Sequence, residues 1–115
     1  MSGVLVLVGH GSRDPSAVDV LPYYVEKLSA TGKYSAVRAC YLERPLSLEA
    51  VLGETDADRI YVMPLLLAPG HHTRVTIPEA IRASGKNVIL LEPLGRSEHL
   101  VRLIEERVSE AGGRP

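Results

Sequence analysis

VLVLVGHGSRDP, residues 4–15, runs five aliphatic residues straight into a histidine set between two glycines. Val4–Val8 shows no polar alternation, so a strand here has to be covered on both faces. That is the pattern of a parallel sheet sandwiched between helices. After Gly9-His10-Gly11, Asp14 and Pro15 read as an N-cap and a first helical residue. Val18, Leu21, Val25 and Leu28 then recur on one helical face up to a stop at Gly32.

The rest of the chain repeats this alternation. Ala36–Leu42 reads as a second strand and Ser47–Leu52 as a short helix capped by Ser47. Ile60–Met63 is a third strand ending at Pro64, followed by a long loop over Leu65–Arg74. Thr76 and Glu79 stand at capping-box spacing before another helix, with Pro78 in its first turn. Val88–Leu91 is a fourth strand. Ser97–Glu110 is the last helix, with Leu100, Leu103, Ile104 and Val108 on one face, fraying from 109 to the end at 115. The order β-α-β-α-β-α-β-α predicts one three-layer α/β domain over 1–115, a four-stranded parallel sheet with right-handed crossovers and helices on both faces.

Composition sets the outer limits. With 115 residues the chain has room for one domain. Phe and Trp are absent, so Leu, Val, Ile, Ala and five Tyr must fill the core. A net charge of −1 argues against a general nucleic-acid binder, which carries a basic footprint. Cys40 is the one cysteine, which leaves no disulfide framework and no thiolate metal cluster. The N-terminal apolar run is too short for a signal peptide or membrane span, so a cytoplasmic protein is expected.

In folds of this kind ligands bind beyond the carboxyl ends of the strands. Three segments meet that condition: Gly9–Asp14, Glu43–Pro45 and Leu65–Arg74. They hold His10, His71 and His72, while His99 reads as a surface residue of the last helix. If the first and third strands are neighbours, these imidazoles converge on one cleft. Imidazole suits borderline divalent cations such as Co2+, Ni2+, Zn2+ and Fe2+. Two imidazoles fall short of a closed four-ligand site and suit a protein that hands its metal on. A glycine-flanked turn before a helix also suits an anion, so that reading stays open for His10. Glu43 is a proton acceptor, a labile third ligand or a partner for Arg44. Arg13, Arg44 and Arg74 stand in the same segments, and guanidinium forks bind carboxylates in bidentate fashion.

The motifs VLVGHGSR, LERPLSLEA, VMPLLLAPGHHTRVTIPEAI and LEPLGRSEHLVRLIEERV together resemble the class II tetrapyrrole chelatases. The likeness is to the short archaeal-type sirohydrochlorin cobaltochelatases, which overlap with the nickelochelatases, and it runs from Val4 to about Val108. It implies a chelatase or flavodoxin-like fold and ATP-independent insertion of Co2+ or Ni2+ into sirohydrochlorin, for cobalamin or coenzyme F430, with no organic cofactor. It places the metal-binding histidines at His10 and His72, because the family pattern Gly-x-His is framed by Gly70 and leaves His71 at the variable position. His10 would assist proton removal, and Glu43, from its place at the end of the second strand, is expected to act with it. Substrate contacts fall on Leu67, Ala68, Pro69, Gly70, His71, His72 and Arg44, with Ser12, Arg13 and Arg74 beside them. Thr76 occupies a position that is commonly acidic in the family. The resemblance also implies a homodimer, since longer relatives build one cleft from two such units. Siroheme ferrochelatase and a non-catalytic Co2+ or Ni2+ chaperone are the alternatives. A histidine phosphatase would show Arg-His-Gly where this chain has Gly9-His10-Gly11, and a flavodoxin-like binding module leaves the histidines unexplained.

Overall fold

The computed structural model describes residues 3–11, 19–42, 47–67 and 70–112, with His72 described by its backbone. The elements are β1 (Val4–Gly9), α1 (Leu21–Ala30), β2 (Ala36–Tyr41), α2 (Leu48–Glu54), β3 (Ile60–Pro64), a π-helical turn (His72–Thr76), α3 (Ile77–Ser84), β4 (Val88–Leu90), a 3-10 turn (Leu94–Arg96) and α4 (Glu98–Glu110). The strands form one parallel sheet in the order β2-β1-β3-β4. The expected fold class is therefore the observed one, and β1 lies between β2 and β3.

Alternate residues of β1 feed two separate cores. Val4, Val6 and Val8 pack with Leu48, Val51 and Leu52 of α2 and with Ile77 and Ala80 of α3. Leu5 and Leu7 point to the other side, against Leu21 of α1. Val6, Val8, Ile60 and Val62 are completely buried, and each aliphatic side chain so removed from water contributes about 1.5–3 kcal/mol. With no Phe or Trp available, aliphatic contacts carry the core, and Tyr34, Tyr41 and Tyr61 pack against its α1 side.

The start of α2 forms as its capping residue predicts, and Ser97, expected as the first residue of the last helix, is its cap. The Ser47 hydroxyl accepts from the Ala50 N–H at the start of α2, and the Ser97 hydroxyl accepts from the His99 N–H at the start of α4. The end of α2 is tied by a cation: Lys86 Nζ donates to the carbonyls of Leu52 at 2.5 Å and Thr55 at 2.6 Å.

Three expectations need correction. The helix predicted from Asp14–Pro15 begins at Leu21, with Val20 as its N-cap; Asp14, Pro15 and Val18 lie outside the described residues. Asp19 takes the capping part, its Oδ1 accepting from the Leu21 N–H at 3.0 Å, and Pro22 occupies the first turn. The capping box at Thr76 does not form. Thr76 has helical dihedrals and makes no side-chain cap bond, because the chain is already π-helical from His72. For the same reason, His72 and Arg74 stand in a helical turn and not in a loop.

α4 is long enough and amphipathic, yet it has no buried residue. Val101, Leu103, Ile104 and Val108 are 40–64 % exposed, and the helix meets its own chain chiefly through the 3-10 turn that precedes it.

Candidate active site

The site is built on the neighbouring carboxyl ends of β1 and β3. Val8 pairs with Pro64, and the Leu65 N–H continues the ladder with a 2.8 Å bond to the Val8 carbonyl. On the other side of β1, Gly9 pairs with Tyr41, and the Leu42 N–H donates to the Gly9 carbonyl at 3.0 Å. Both flanking strands thus clamp β1 up to the residue before His10.

Both glycines around His10 have a physical reason. A Cβ at Gly9 would lie 2.9 Å from Leu21 Cδ1 and 3.6 Å from Tyr41 Cδ1. The room that a missing side chain creates there is taken by the first residue of α1 and the last of β2. Gly11 has φ 81°, a left-handed conformation that turns the chain sharply and favours glycine. His10 is exposed at the tip, and its Nδ1 lies 2.9 Å from the Gly11 carbonyl. The carbonyl can only accept, so Nδ1 is the nitrogen that donates.

After β3 the chain returns through Gly70 and His71 into the π-helical turn. The Gly70 N–H donates to Thr73 Oγ1 at 2.8 Å, Thr73 Oγ1 donates back to the Gly70 carbonyl at 3.1 Å, and the Arg74 N–H reaches the same carbonyl at 2.9 Å. Three bonds therefore hold the Gly-His-His turn. Single π-helical turns are rare and recur at functional sites. His71 and Arg74 are exposed, and Leu67 is 70 % exposed. A hollow of about 210 Å³ opens beside the turn, lined by Pro64, Thr73 and Arg74, by Leu90 at the end of β4 and by Leu91–Pro93 after it.

The topology thus brings the His10 segment and the His71-His72 segment to adjacent strand ends, with Arg74 beside them. Ser12, Arg13, Glu43, Arg44, Ala68 and Pro69 lie outside the described residues. His99 sits on the exposed face of α4, where its Nδ1 lies 2.7 Å from Arg102 Nη2. Among the described residues, no three His, Cys, Asp or Glu side chains gather into a metal cluster. Cys40 stands apart from this chemistry: burial pushes its thiol up to about 12, against a smaller opposing pull from Arg38.

Five residues escaped the reading of the strand-end loops. The Tyr41 hydroxyl donates to Asp19 Oδ2, joining the end of β2 to the approach of α1 across Gly9. Thr73 organises the second histidine segment. Glu92 and Pro93 line the hollow. The strand-end rule, applied to the fourth strand as well, points to the last two; a hydrogen bond between Tyr41 and Asp19, distant in sequence, leaves no local signal.

Comparison with known proteins gives a consistent picture. The CbiX family profile matches residues 4–111. The sirohydrochlorin cobaltochelatase of Saccharolobus solfataricus is 38% identical over 125 residues, covering 96% of this chain and 95% of its own. That of Sulfurisphaera tokodaii is 34% identical over 115 residues, covering 96% and 93%. Among solved structures, the sirohydrochlorin chelatase SirB from Bacillus subtilis subspecies spizizenii in complex with cobalt matches with a TM-score of 0.81 at 27% identity; the match spans 96% of this chain and 51% of that one.

Proposed function

This chain belongs to the CbiX family, and on that footing we propose that it is a metal chelatase which inserts Co2+ or Ni2+ into sirohydrochlorin without ATP, in the cytoplasm, as a homodimer. One observation carries the reading at the site: His10 and the His71-His72 pair follow β1 and β3, which are hydrogen-bonded neighbours in the sheet. Relatives of nearly the same length are cobaltochelatases, and a solved relative is a complex with cobalt. Both facts support the metal assignment.

The chemistry asks little of the protein beyond placement. When a divalent cation enters the macrocycle, two pyrrolic N–H protons leave and four nitrogens replace the water and protein ligands of the metal. His10 and His72 hold the cation by neutral imidazole, few enough to release it. His10 Nε2, once the cation has left it for the ring, accepts one of the two protons, and Glu43 accepts the other. Arg44 and Arg74, with Ser12 and Arg13, grip the peripheral carboxylates, while Leu67–His72 lies against the ring. Cobalt insertion leads towards cobalamin and nickel insertion towards coenzyme F430.

The test is anaerobic absorbance spectroscopy of sirohydrochlorin with Co2+, Ni2+ and Fe2+ in turn. Acceleration over the uncatalysed rate with Co2+ or Ni2+ supports the proposal. Acceleration with Fe2+ alone reassigns the enzyme to siroheme. Metal binding with no acceleration for any ion makes the protein a metal chaperone.

A further inference from the structure

Gly9 is enclosed by a closed circuit of contacts, and a residue of the neighbouring strand ties it. The Tyr41 backbone pairs with Gly9, and the Leu42 N–H donates to the Gly9 carbonyl at 3.0 Å. The Tyr41 ring lies 3.6 Å from where a Cβ on Gly9 would stand. At the far end of that ring the hydroxyl donates to Asp19 Oδ2. Asp19 Oδ1 accepts from the Leu21 N–H at 3.0 Å, and Leu21 Cδ1 lies 2.9 Å from the same Cβ position on Gly9. The path through Tyr41, Asp19 and Leu21 thus returns to Gly9. His10 is the next residue.

The circuit fixes what β1 alone does not. Residues 10–20 join β1 to α1, and Tyr41 holds the chain at both ends of that connection, by its backbone at Gly9 and by its hydroxyl at Asp19. Packing calls only for the ring, which lies half-buried on the α1 side with Leu5, Leu7 and Leu21. A phenylalanine would fill that place. The hydroxyl reaches an exposed carboxylate, where a hydrogen bond is largely exchanged for one to water and adds little net stability. What it adds is direction. The His10 ring is itself bound to the Gly11 carbonyl, so the imidazole and the backbone from Gly9 to Gly11 turn together.

We propose that Tyr41 is a positioning residue for His10: its hydroxyl, acting through Asp19 and Leu21, holds the His10 segment so that the imidazole meets a divalent cation in one orientation. The inference rests on the reading of His10 as a ligand of the inserted metal. Groups that orient a metal ligand from behind typically govern affinity by about tenfold or more.

Anaerobic calorimetric titration with Co2+ alone, without sirohydrochlorin, tests it on wild type, Tyr41→Phe, His10→Ala and the double variant. Circular dichroism melts accompany each titration. Tyr41→Phe should fold and should weaken Co2+ binding about tenfold. In the His10→Ala background the same change should add no further loss, since residues that act as one unit are not additive. Asp19→Ser keeps a hydroxyl for the Leu21 N–H but withdraws the acceptor from Tyr41, and should weaken binding as Tyr41→Phe does. A hydroxyl with a structural role alone would lower the melting temperature and leave the Co2+ dissociation constant unchanged, which overturns the proposal. Equal weakening in both backgrounds also overturns it, because Tyr41 would then act on another ligand. If Tyr41→Phe does not fold, Asp19→Ser decides, and wild-type affinity in that variant overturns the proposal. A wild type that binds no Co2+ removes the chelatase reading and this inference together, whereas Co2+ binding indifferent to Tyr41→Phe removes the inference alone.

Discussion

Lys86→Met is the sharpest test of how the domain is held together. The ammonium of Lys86 reaches from the α3–β4 connection to the last turn of α2, where it donates to the Leu52 and Thr55 carbonyls at 2.5 and 2.6 Å, with Gly53 at 3.4 Å. A positive charge also complements the partial negative charge at a helix C-terminus. Methionine keeps the length and apolar stem but supplies no donor. Bonds to a charged group contribute about 1.5–3 kcal/mol net; with the group partly exposed, and with Thr55 N–H still donating to the Leu52 carbonyl, a total loss of about 2 kcal/mol is expected. Unfolding entropy near 60 °C is roughly 2.1 cal/mol/K per residue, or about 0.24 kcal/mol/K for 115 residues. The melting temperature should therefore fall by about 8 °C. Circular dichroism melts of the two proteins at one concentration measure it. A fall below about 2 °C would show that these carbonyls are served as well by water, and the reasoning would fail.

Gly9→Ala should cost about 1–2 kcal/mol in urea unfolding, because its Cβ would press on the buried Leu21 at 2.9 Å; an unchanged midpoint would mean that α1 yields freely. Thr73→Val, which breaks both hydroxyl bonds to Gly70, should lower kcat/KM for metal insertion about tenfold or more at unchanged melting temperature. Thr73→Ser should restore it, and failure of that rescue would remove the positioning role. Cys40 is an acid whose folded pKa is raised from 9.0 to about 12, so its contribution to stability is present below about pH 9 and is lost as pH rises towards 12. Between pH 9 and 11, wild type should lose about 1.4 kcal/mol per pH unit more than Cys40→Ala in urea unfolding. Equal slopes would show that the thiol is not buried as described.

The sheet was legible because β1 and β3 are short aliphatic runs bounded by turn residues, and the start of α2 because Ser47 marks it. The start of α1 was not. Asp14-Pro15 and the Asp19–Pro22 segment offer nearly the same capping signal, and what favours the second is tertiary: Leu21 must pack against Gly9, and Asp19 must meet Tyr41. Thr76 failed as a cap for a similar reason, since Thr73 closes the turn onto Gly70 one step earlier. The stripe of α4 shows which face seeks burial and says nothing of what buries it. For the site, glycine spacing and strand-end position pointed to His10 and to the His71-His72 pair, while the supports at Tyr41, Asp19 and Thr73 are set by contacts between segments.

The central claim is that His10 serves metal insertion from its fixed place at the end of β1. The measurement that tests it most directly is the initial rate of Co2+ insertion into sirohydrochlorin, followed anaerobically by absorbance, for wild type and His10→Ala. His10 is exposed at the strand tip, so the variant should fold normally. Loss of a ligand and general base should slow insertion a hundredfold or more. A His10→Ala protein that folds, binds sirohydrochlorin and inserts cobalt at the wild-type rate would contradict the account.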